Sequence, residues 1–310
     1  MKSLRHILEY GLFLLALLLV RPLSAETVYR TGRLLGFGMY HLSPRRRRIA
    51  RRNLDMAFGP EKSSREKKRI ARESFVQQAV SLLQLLWISR QPRERCRELI
   101  DGDPEGQDVL RECLGRGRGV LFLTAHYGNW EVMGVFHGYQ GLGPLVSIAR
   151  RLDNPHLERF LIRLRTLSGN RILYRDQNPI KMVRALRNGE CLAVMMDQNA
   201  GDWGTFVEFF GTPASTARAL PLLSYNHGTP ILPMFCFPTG QGHYRIVYGP
   251  ELRLKKTGDK SRDVHDWTQA CVKHLEWVIR QQPEPWMWFH RRWKSRPPGE
   301  PRGAVYGRDN

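Results

Sequence analysis

A histidine and a glutamate that can carry out acid–base chemistry lie five residues apart in TAHYGNWEVMG, residues 124–134. His126 can accept a proton near neutral pH, and the carboxylate of Glu131 can orient the imidazole ring and stabilise its protonated form. The spacing alone is weak evidence, because with 10 histidines and 29 acidic residues about one such pair arises by chance. The alternative is a structural histidine in the core beside a glutamate that caps a helix.

The elements around this segment decide whether the two side chains can meet. On one continuous helix, residues five apart point about 140° away from each other. GVLFLT, residues 119–124, is a short apolar run after a glycine turn and predicts a buried parallel strand. If His126 lies in the loop after that strand, Gly128 can turn the chain and Asn129 can cap the following helix. Glu131 then lies in the first helical turn, from which we expect it to reach the imidazole.

Strands and helices alternate through much of the chain and predict an α/β fold with a central, mostly parallel sheet flanked by helices. The predicted strands are 119–124, 144–149, 171–174, 191–196, 230–237 and 243–249. The last of these can run parallel or antiparallel to its neighbour. The predicted helices are 26–58, 64–89, 105–114, 130–137, 154–168, 178–188, 215–227 and 261–281.

Composition limits the classes of partner. The 310 residues include 49 Lys and Arg against 29 Asp and Glu, a formal net charge of +20. This charge favours an anionic partner, which can be nucleic acid, an anionic membrane surface or a phosphorylated substrate. Five scattered cysteines without a C-x-x-C pair argue against a disulfide framework and a cysteine zinc site, and favour a reducing compartment. H-E-x-x-H and G-x-S-x-G are absent, so we expect neither a metal site nor a serine hydrolase.

The N-terminus contains an apolar run of 14 residues, Ile7 to Val20. Three interpretations are open: a signal peptide cleaved near residues 23–25, a spanning helix, which needs about 20 apolar residues, and a shallow interfacial anchor. Residues 45–72 carry 12 basic and three acidic side chains, a local net charge of +9. Such a block beside an apolar segment is typical of the cytoplasmic side of an anionic membrane. Few aromatic residues interrupt the block, so it offers no stacking platform for a nucleic acid.

The segment around His126 resembles the catalytic motif of the bacterial lipid A biosynthesis acyltransferases, the lauroyl and myristoyl transferases. They belong to the lysophospholipid acyltransferase superfamily with its H-x-x-x-x-[D/E] signature. Further blocks similar to this family, in the family's order, are RRRRIARRNLDMAFGP (45–60), ARRLDNPHLERFL (149–161), MMDQNAGDWGTFVEFFGTPASTARA (195–219) and WMWFHRRWKSRPPG (286–299). Together the blocks cover most of the chain and are far more specific than the motif alone.

The resemblance implies a glycerolipid acyltransferase-like fold and a division of the chain. We expect an apolar membrane-anchor helix over 1–25 and an acyltransferase domain over 26–310. Within the domain, 26–100 is the helical N-terminal part and 101–299 is the α/β catalytic core, followed by the tail 300–310. The implied location is the bacterial inner membrane, with the catalytic domain on the cytoplasmic face.

The activity implied by the resemblance is a late, secondary acylation in lipopolysaccharide biosynthesis. A fatty acyl chain passes from an acyl carrier protein thioester to a hydroxyl of a phosphorylated glucosamine lipid, a lipid A precursor. His126 is the general base, Glu131 orients it, and neither a covalent intermediate nor a cofactor is required. One alternative is a related acyltransferase that acts on a glycerophospholipid or another glycolipid. A more distant one is a non-catalytic basic protein that binds membranes.

Further residues are candidates for the substrate site. Arg150 follows the second predicted strand and can stabilise an oxyanion, bind a substrate phosphate or pair with Asp197, which follows strand 191–196. Asn129 and Trp130 are expected to shape the site. Additional candidates for phosphate contacts are Arg218, His290, Arg291 and Arg292. Aromatic side chains that can line an acyl groove, or else pack in the core or face a membrane, are Trp203, Phe206, Phe209 and Phe210.

Overall fold

The computed structural model describes residues 2–174, 179–301 and 303–307. Its α-helices are α1 (Lys2–Val20), α2 (Ala25–Leu42), α3 (Pro44–Phe58), α4 (Ser64–Ile88), α5 (Pro92–Leu99), α6 (Gln107–Gly115), α7 (Trp130–Tyr139), α8 (Pro155–Thr166), α9 (Ile180–Arg187), α10 (Ala219–His227) and α11 (Lys260–Gln281). Its strands are β1 (Val120–Thr124), β2 (Leu145–Ala149), β3 (Arg171–Tyr174), β4 (Cys191–Met195), β5 (Thr205–Phe209), β6 (Thr212–Thr216), β7 (Ile231–Gly240) and β8 (His243–Tyr248).

Six strands form the central sheet in the order β3-β2-β4-β1-β7-β8. The first five are parallel and β8 runs antiparallel to β7 at the edge, which confirms the predicted mostly parallel α/β fold. Both faces of β1 are covered. Leu121 and Leu123 pack with α3, α10 and α11 in one core cluster, whereas Val120 and Phe122 pack with α5, α6 and α7 in the other. A central strand buried on both faces explains its unbroken apolar sequence.

The neighbouring strands β1 and β4 bring two loops together. They pair in parallel, with Thr124 opposite Met195 at their carboxyl ends. His126 and Asp197 each follow two residues later, so the two side chains leave the sheet at the same edge and side by side. In open α/β sheets, ligands collect at this edge.

The helical N-terminal part is built on α4. Its Ser63 cap and Glu66 form a capping box, with the Ser63 hydroxyl accepting from the Glu66 N–H at 3.3 Å and the carboxylate accepting from the Ser63 N–H at 2.8 Å. The predicted helix 26–58 is divided into α2 and α3 at Pro44, which starts α3. A Cβ atom on Gly36 would lie 2.4 Å from the Val76 Cα, so glycine permits the close packing of α2 on α4.

One hairpin replaces the start of a predicted helix. The chain expected to be helical from 215 instead completes the antiparallel pair β5–β6, and α10 begins at Ala219. Phe210 and Gly211 form the two-residue turn with φ of +50° and +70°, the backbone conformation of tight hairpins. Helix α5 was not predicted either. The start of the predicted helix 178–188 lies outside the described residues.

The N-terminal helix α1 leaves most of its apolar side chains exposed. Leu17 and Val20 are buried against the core, but Leu12 and Leu18 are each 70% exposed. Within the ranges given above, no helix has both the length and the apolar composition needed to cross a membrane. The apolar membrane-anchor helix predicted over 1–25 is therefore not confirmed.

Candidate active site

His126 and Asp197 form a hydrogen-bonded pair at the carboxyl edge of the sheet. His126 Nδ1 lies 3.0 Å from Asp197 Oδ1, and the backbone N–H of His126 donates to Oδ2 at 3.0 Å. The indole Nε1 of Trp286 donates to the same Oδ2 at 3.0 Å. The carboxylate is thus held by three donors, while the imidazole remains 20% exposed. The ring is open to solvent, whereas the carboxylate behind it is buried.

The turn after His126 follows the prediction from the sequence. Gly128 has a φ of +59°, and a Cβ atom there would lie 1.8 Å from the carbonyl oxygen of Cys236. Asn129 caps α7 by accepting from the Val132 N–H at 3.1 Å, and its amide donates to Gln84 Oε1 at 2.8 Å. Asn129 is fully buried. It therefore shapes the loop, and both ends of its amide are used within the protein.

The expected contact between Glu131 and the imidazole is not formed, and this prediction was wrong. Glu131 lies in the first turn of α7, as predicted, but its carboxylate accepts two hydrogen bonds from Arg165 on α8 at 2.9 and 2.5 Å. The Nδ1 position is already occupied by Asp197, and the guanidinium offers Glu131 a bidentate partner. The side chains of Glu131 and Arg165 are 14% and 26% exposed.

Electrostatics favours the charged form of both groups of the pair. Burial opposes charge on both groups, but the opposite charge and the hydrogen bonds outweigh it. The pKa of Asp197 is lowered to about 2, and the pKa of His126 is raised above its usual value. Glu131 acts in the same direction on His126, and Arg165 opposes it. An ionised carboxylate can only accept, so in the neutral ring Nδ1 carries the proton and Nε2 has the lone pair.

Two side chains border this lone pair. The amide nitrogen of Gln198 lies 3.3 Å from His126 Nε2. The Trp130 ring contacts the imidazole edge-on, with ring centroids 5.0 Å apart. A hydroxyl group that replaced the weak Gln198 contact could donate its proton to Nε2.

Arg150 does not form the predicted pair with Asp197. Its side chain is exposed, and within the described ranges it has no hydrogen bond or ion pair. Arg218 is likewise exposed at the start of α10, and its side chain forms no capping bond. Neither arginine contacts His126 in this structure. The carboxylate of Asp197 already accepts from His126 and Trp286 instead of Arg150.

The C-terminal candidates divide into different roles. Arg292 is fully buried and donates to the carbonyl oxygens of Gln198 and Ser215, so it cannot reach a phosphate. Burial lowers the pKa of His290 to about 4, and its Nε2 accepts from the Asn199 N–H at 3.2 Å. The ring is therefore neutral at pH 7, and a contact of His290 with a phosphate stays a prediction. Arg291 is partly exposed and lines a cavity beside His290.

The aromatic candidates do not form one groove. Trp203 is 91% exposed, whereas Phe209 and Phe210 belong to the core and pack on Trp286 and Trp288. Phe206 is half-buried. The core alternative holds for Phe209 and Phe210.

The sequence did not predict that Asp197 binds His126, nor which side chains contact His126, Asp197 and Glu131. Asp197 was predicted only as one of three possible partners of Arg150, and Trp286, Gln198 and Arg165 were not singled out. The available signal was that Asp197, like His126, directly follows a buried parallel strand. Across the described residues, no group of three His, Cys, Asp or Glu side chains could hold a metal ion.

Comparison with known proteins shows the same family over nearly the whole chain. Residues 1–295 match the model of the bacterial lipid A biosynthesis acyltransferases. The lipid A biosynthesis lauroyltransferase of Escherichia coli K12 is 29% identical over 291 residues, covering 91% of this chain and 90% of the relative. The myristoyltransferase of the same organism is 23% identical over 306 residues, covering 96% and 91%. The phosphatidylinositol mannoside acyltransferase of Mycolicibacterium smegmatis is 27% identical, covering 60% of each chain. The resemblance inferred from the sequence is confirmed, and the chain belongs to the bacterial lipid A biosynthesis acyltransferase family.

Proposed function

We propose that this protein transfers a fatty acyl chain from a thioester to a hydroxyl of a lipid A precursor, with His126 as the general base. The observation that carries the proposal is the hydrogen bond between His126 Nδ1 and the buried carboxylate of Asp197. It leaves Nε2 as the accepting atom of the neutral ring. Family membership supports the acyltransferase class.

The mechanism follows from this arrangement. The acceptor hydroxyl gives its proton to His126 Nε2 while its oxygen bonds to the thioester carbonyl carbon. Asp197 stabilises the imidazolium that forms. When the tetrahedral intermediate collapses, the carbon–sulfur bond breaks and the imidazolium returns the proton to the leaving thiolate. A thioester is already activated, so no covalent enzyme intermediate is needed.

Glu131 supports the basicity of His126 through its negative charge. It is bound to Arg165 and does not touch His126 in this structure, but its negative charge raises the pKa of the imidazole. The pair also joins α7, which begins at the catalytic loop, to α8. We propose that Glu131 supports the base in this way, with Arg165 as its positioning residue.

The proposed donor is acyl carrier protein and the proposed acceptor is a phosphorylated glucosamine lipid. Both are acidic, and a chain with a net charge of +20 would attract both. The basic first half of α3, with four consecutive arginines, is part of this charge.

The proposed place of action is the cytoplasmic face of the inner membrane. Supporting it are exposed apolar side chains on the first two helices, namely Leu4, Ile7, Leu8, Leu12, Leu14, Leu15, Leu18 and Leu19 on α1 and Leu34, Leu35, Phe37 and Leu42 on α2. Exposed apolar side chains on a helix suit shallow insertion at a lipid surface. Vesicle flotation of the double variant Leu12→Asp, Leu18→Asp should show reduced binding to anionic vesicles, and unchanged binding would remove α1 from this role.

Mass spectrometry of total lipids after gene deletion tests the function. The lipid A fraction should lose one acyl chain, and a plasmid copy should restore it whereas a His126→Ala copy should not. Unchanged lipid A would contradict the proposal. The similarity to a phosphatidylinositol mannoside acyltransferase favours one second candidate, acylation of another glycolipid. In that case the missing chain would appear in the glycolipid fraction instead.

A further inference from the structure

Helix α4 carries a stripe of polar side chains in the core of the protein. Ser74, Ser81 and Gln84 are buried and Gln77 is half-buried, and the four follow each other at intervals of three, four and three residues. At about 100° per residue, this spacing places them on one face of the helix. The other buried residues of α4 are apolar. Because a buried polar side chain lowers stability unless it has a hydrogen-bond partner, the partners indicate what this polar stripe is for.

The second half of the polar stripe holds the turn that follows His126. The Ser81 hydroxyl donates to the carbonyl oxygen of Gly128 at 3.2 Å. Gln84 Oε1 accepts from the amide of Asn129 at 2.8 Å. The backbone of the turn and the cap of α7 are thus both attached to α4.

The first residue of the polar stripe holds the segment that contacts Asp197. The Ser74 hydroxyl donates to the carbonyl oxygen of Trp286 at 2.5 Å and accepts from the backbone N–H of Trp288 at 3.2 Å. Trp286 is fully buried, and its indole Nε1 donates to Asp197 Oδ2 at 3.0 Å. In the part of the chain that the structure describes, the Ser74 hydroxyl bonds to neither His126 nor Asp197.

We propose that Ser74 is a positioning residue for acyl transfer, which acts on Asp197 through the indole of Trp286. This inference rests on the proposed function and deepens it. One helix holds the turn after the base and also the backbone of the residue that donates to the carboxylate, so α4 sets the relative position of His126 and Asp197. Without the Ser74 hydroxyl, the Trp286 backbone is held less tightly, and the hydrogen bond from the indole to the carboxylate weakens.

The first test compares two variants that each lose a buried hydroxyl. Ser74→Ala removes the two hydrogen bonds to the C-terminal segment. Ser224→Ala is the matched control, because the buried Ser224 hydroxyl donates to the carbonyl oxygen of Thr229 at 2.8 Å. Thr229 lies just before β7 begins, and therefore at the opposite edge of the sheet from His126. Both variants should melt at a lower temperature than the wild type, because each loses a buried hydrogen bond.

The kinetic constants separate positioning from stability. Ser74→Ala should reduce kcat by about tenfold with KM for both substrates within about twofold, whereas Ser224→Ala should change neither constant by more than about twofold. Ser74→Cys keeps a weak donor at the same position and should lie between the two. It takes the place of Ser74→Ala if that variant does not fold. If kcat of the folded Ser74 variant lies within about twofold of that of Ser224→Ala, the proposal is overturned.

A double-mutant cycle tests whether Ser74 acts through the indole. Trp286→Phe removes the donor to Asp197 but keeps the backbone carbonyl that accepts from Ser74, and it should reduce kcat by about tenfold. Adding Ser74→Ala to Trp286→Phe should lower the melting temperature further, but should reduce kcat by less than about twofold. If the two effects on kcat multiply instead, Ser74 acts by another route and the proposal is overturned.

Nuclear magnetic resonance of the Trp286 indole separates this proposal from the proposed function. With isotope-labelled tryptophan, each indole N–H gives one signal, and the signal that Trp286→Phe removes belongs to Trp286. Ser74→Ala should move this signal and speed the exchange of its proton with solvent by at least about tenfold, whereas Ser224→Ala should leave both unchanged. If the wild-type protein transfers no acyl chain but the signal responds in this way, the positioning of Asp197 by Ser74 stands and the proposed function fails. If transfer occurs and neither the signal nor kcat responds to Ser74→Ala, the function stands and the positioning role is disproved.

Discussion

The substitution Asp197→Asn tests how the imidazole is oriented. Oδ2 accepts from the His126 backbone N–H and from Trp286 Nε1, so the amide oxygen of the variant must take that place. The amide NH₂ group then faces His126 Nδ1, which can only accept from it. The ring proton moves to Nε2, and the base loses the lone pair that takes the hydroxyl proton. The variant is expected to fold and to be nearly inactive.

The expected loss of activity can be estimated from the distance between His126 Nδ1 and Asp197 Oδ1. At 3.0 Å and an effective dielectric constant of about 20, two unit charges attract by about 5.5 kcal/mol. This is an upper bound, because burial of the pair opposes the attraction. The full value corresponds to a factor of about 10⁴ in rate, and half of it to about 10². We expect kcat to fall by 10² to 10⁴, with these limits as order-of-magnitude estimates.

The assay is steady-state transfer from acyl carrier protein to a lipid A precursor, followed by mass spectrometry of the product. Asp202→Asn is the matched control, because Asp202 is exposed and lies five residues further along the chain. Thermal melting checks that both variants are folded. If folded Asp197→Asn keeps kcat within about threefold of the wild type, Asp197 does not orient the base and the reasoning is refuted.

Three further predictions follow from the same contacts. The rate of acyl transfer should increase with pH with an apparent pKa above 6.5, because the raised pKa of His126 keeps the ring protonated and inactive at lower pH. A midpoint below 6.5 in the pH profile of kcat/KM would contradict this prediction. Glu131→Gln should shift that midpoint to lower pH, because the negative charge that raises the pKa of His126 is lost. It should also reduce the free energy of unfolding by about 2–3 kcal/mol, because Arg165 loses its partner in a largely buried pair. An unshifted pH profile would exclude the electrostatic role of Glu131. Gly128→Ala should lower the free energy of unfolding by at least about 3 kcal/mol in denaturant titrations. The added Cβ atom would clash with the carbonyl oxygen of Cys236, and φ at residue 128 is positive. A melting temperature equal to that of the wild type would show that the turn can rearrange.

Local patterns in the sequence were sufficient to predict the strand, the turn and the helix start around His126. The apolar run before it, the glycine at the turn and the Asn129 cap each depend on neighbouring residues, and all three predictions are confirmed. The hairpin β5–β6 was missed because its turn begins with Phe210, a residue that rarely adopts a positive φ. Its backbone N–H donates to Glu276 on α11, and its ring packs in the core, so distant contacts hold this turn.

The partner of the His126 imidazole could not be predicted from local sequence patterns. Strand positions could be predicted for both β1 and β4, but that β4 lies beside β1 depends on the strand order of the whole sheet. Trp286 lies 89 residues after Asp197, and Arg165 lies 34 residues after Glu131. No local periodicity joins such residues. Glu131 was therefore matched to His126 by proximity in the chain, although Asp197 is the closer group in space.

The most direct test of the central claim is reconstitution of the reaction with purified protein. The protein is incubated with acyl-loaded acyl carrier protein and a lipid A precursor, and the lipid is analysed by mass spectrometry. The proposed function predicts that the precursor gains the mass of one acyl chain. His126→Ala should form this product at least about 100-fold more slowly with an unchanged melting temperature. Absence of the product with the wild-type protein, or its formation at a similar rate by His126→Ala, would contradict the claim.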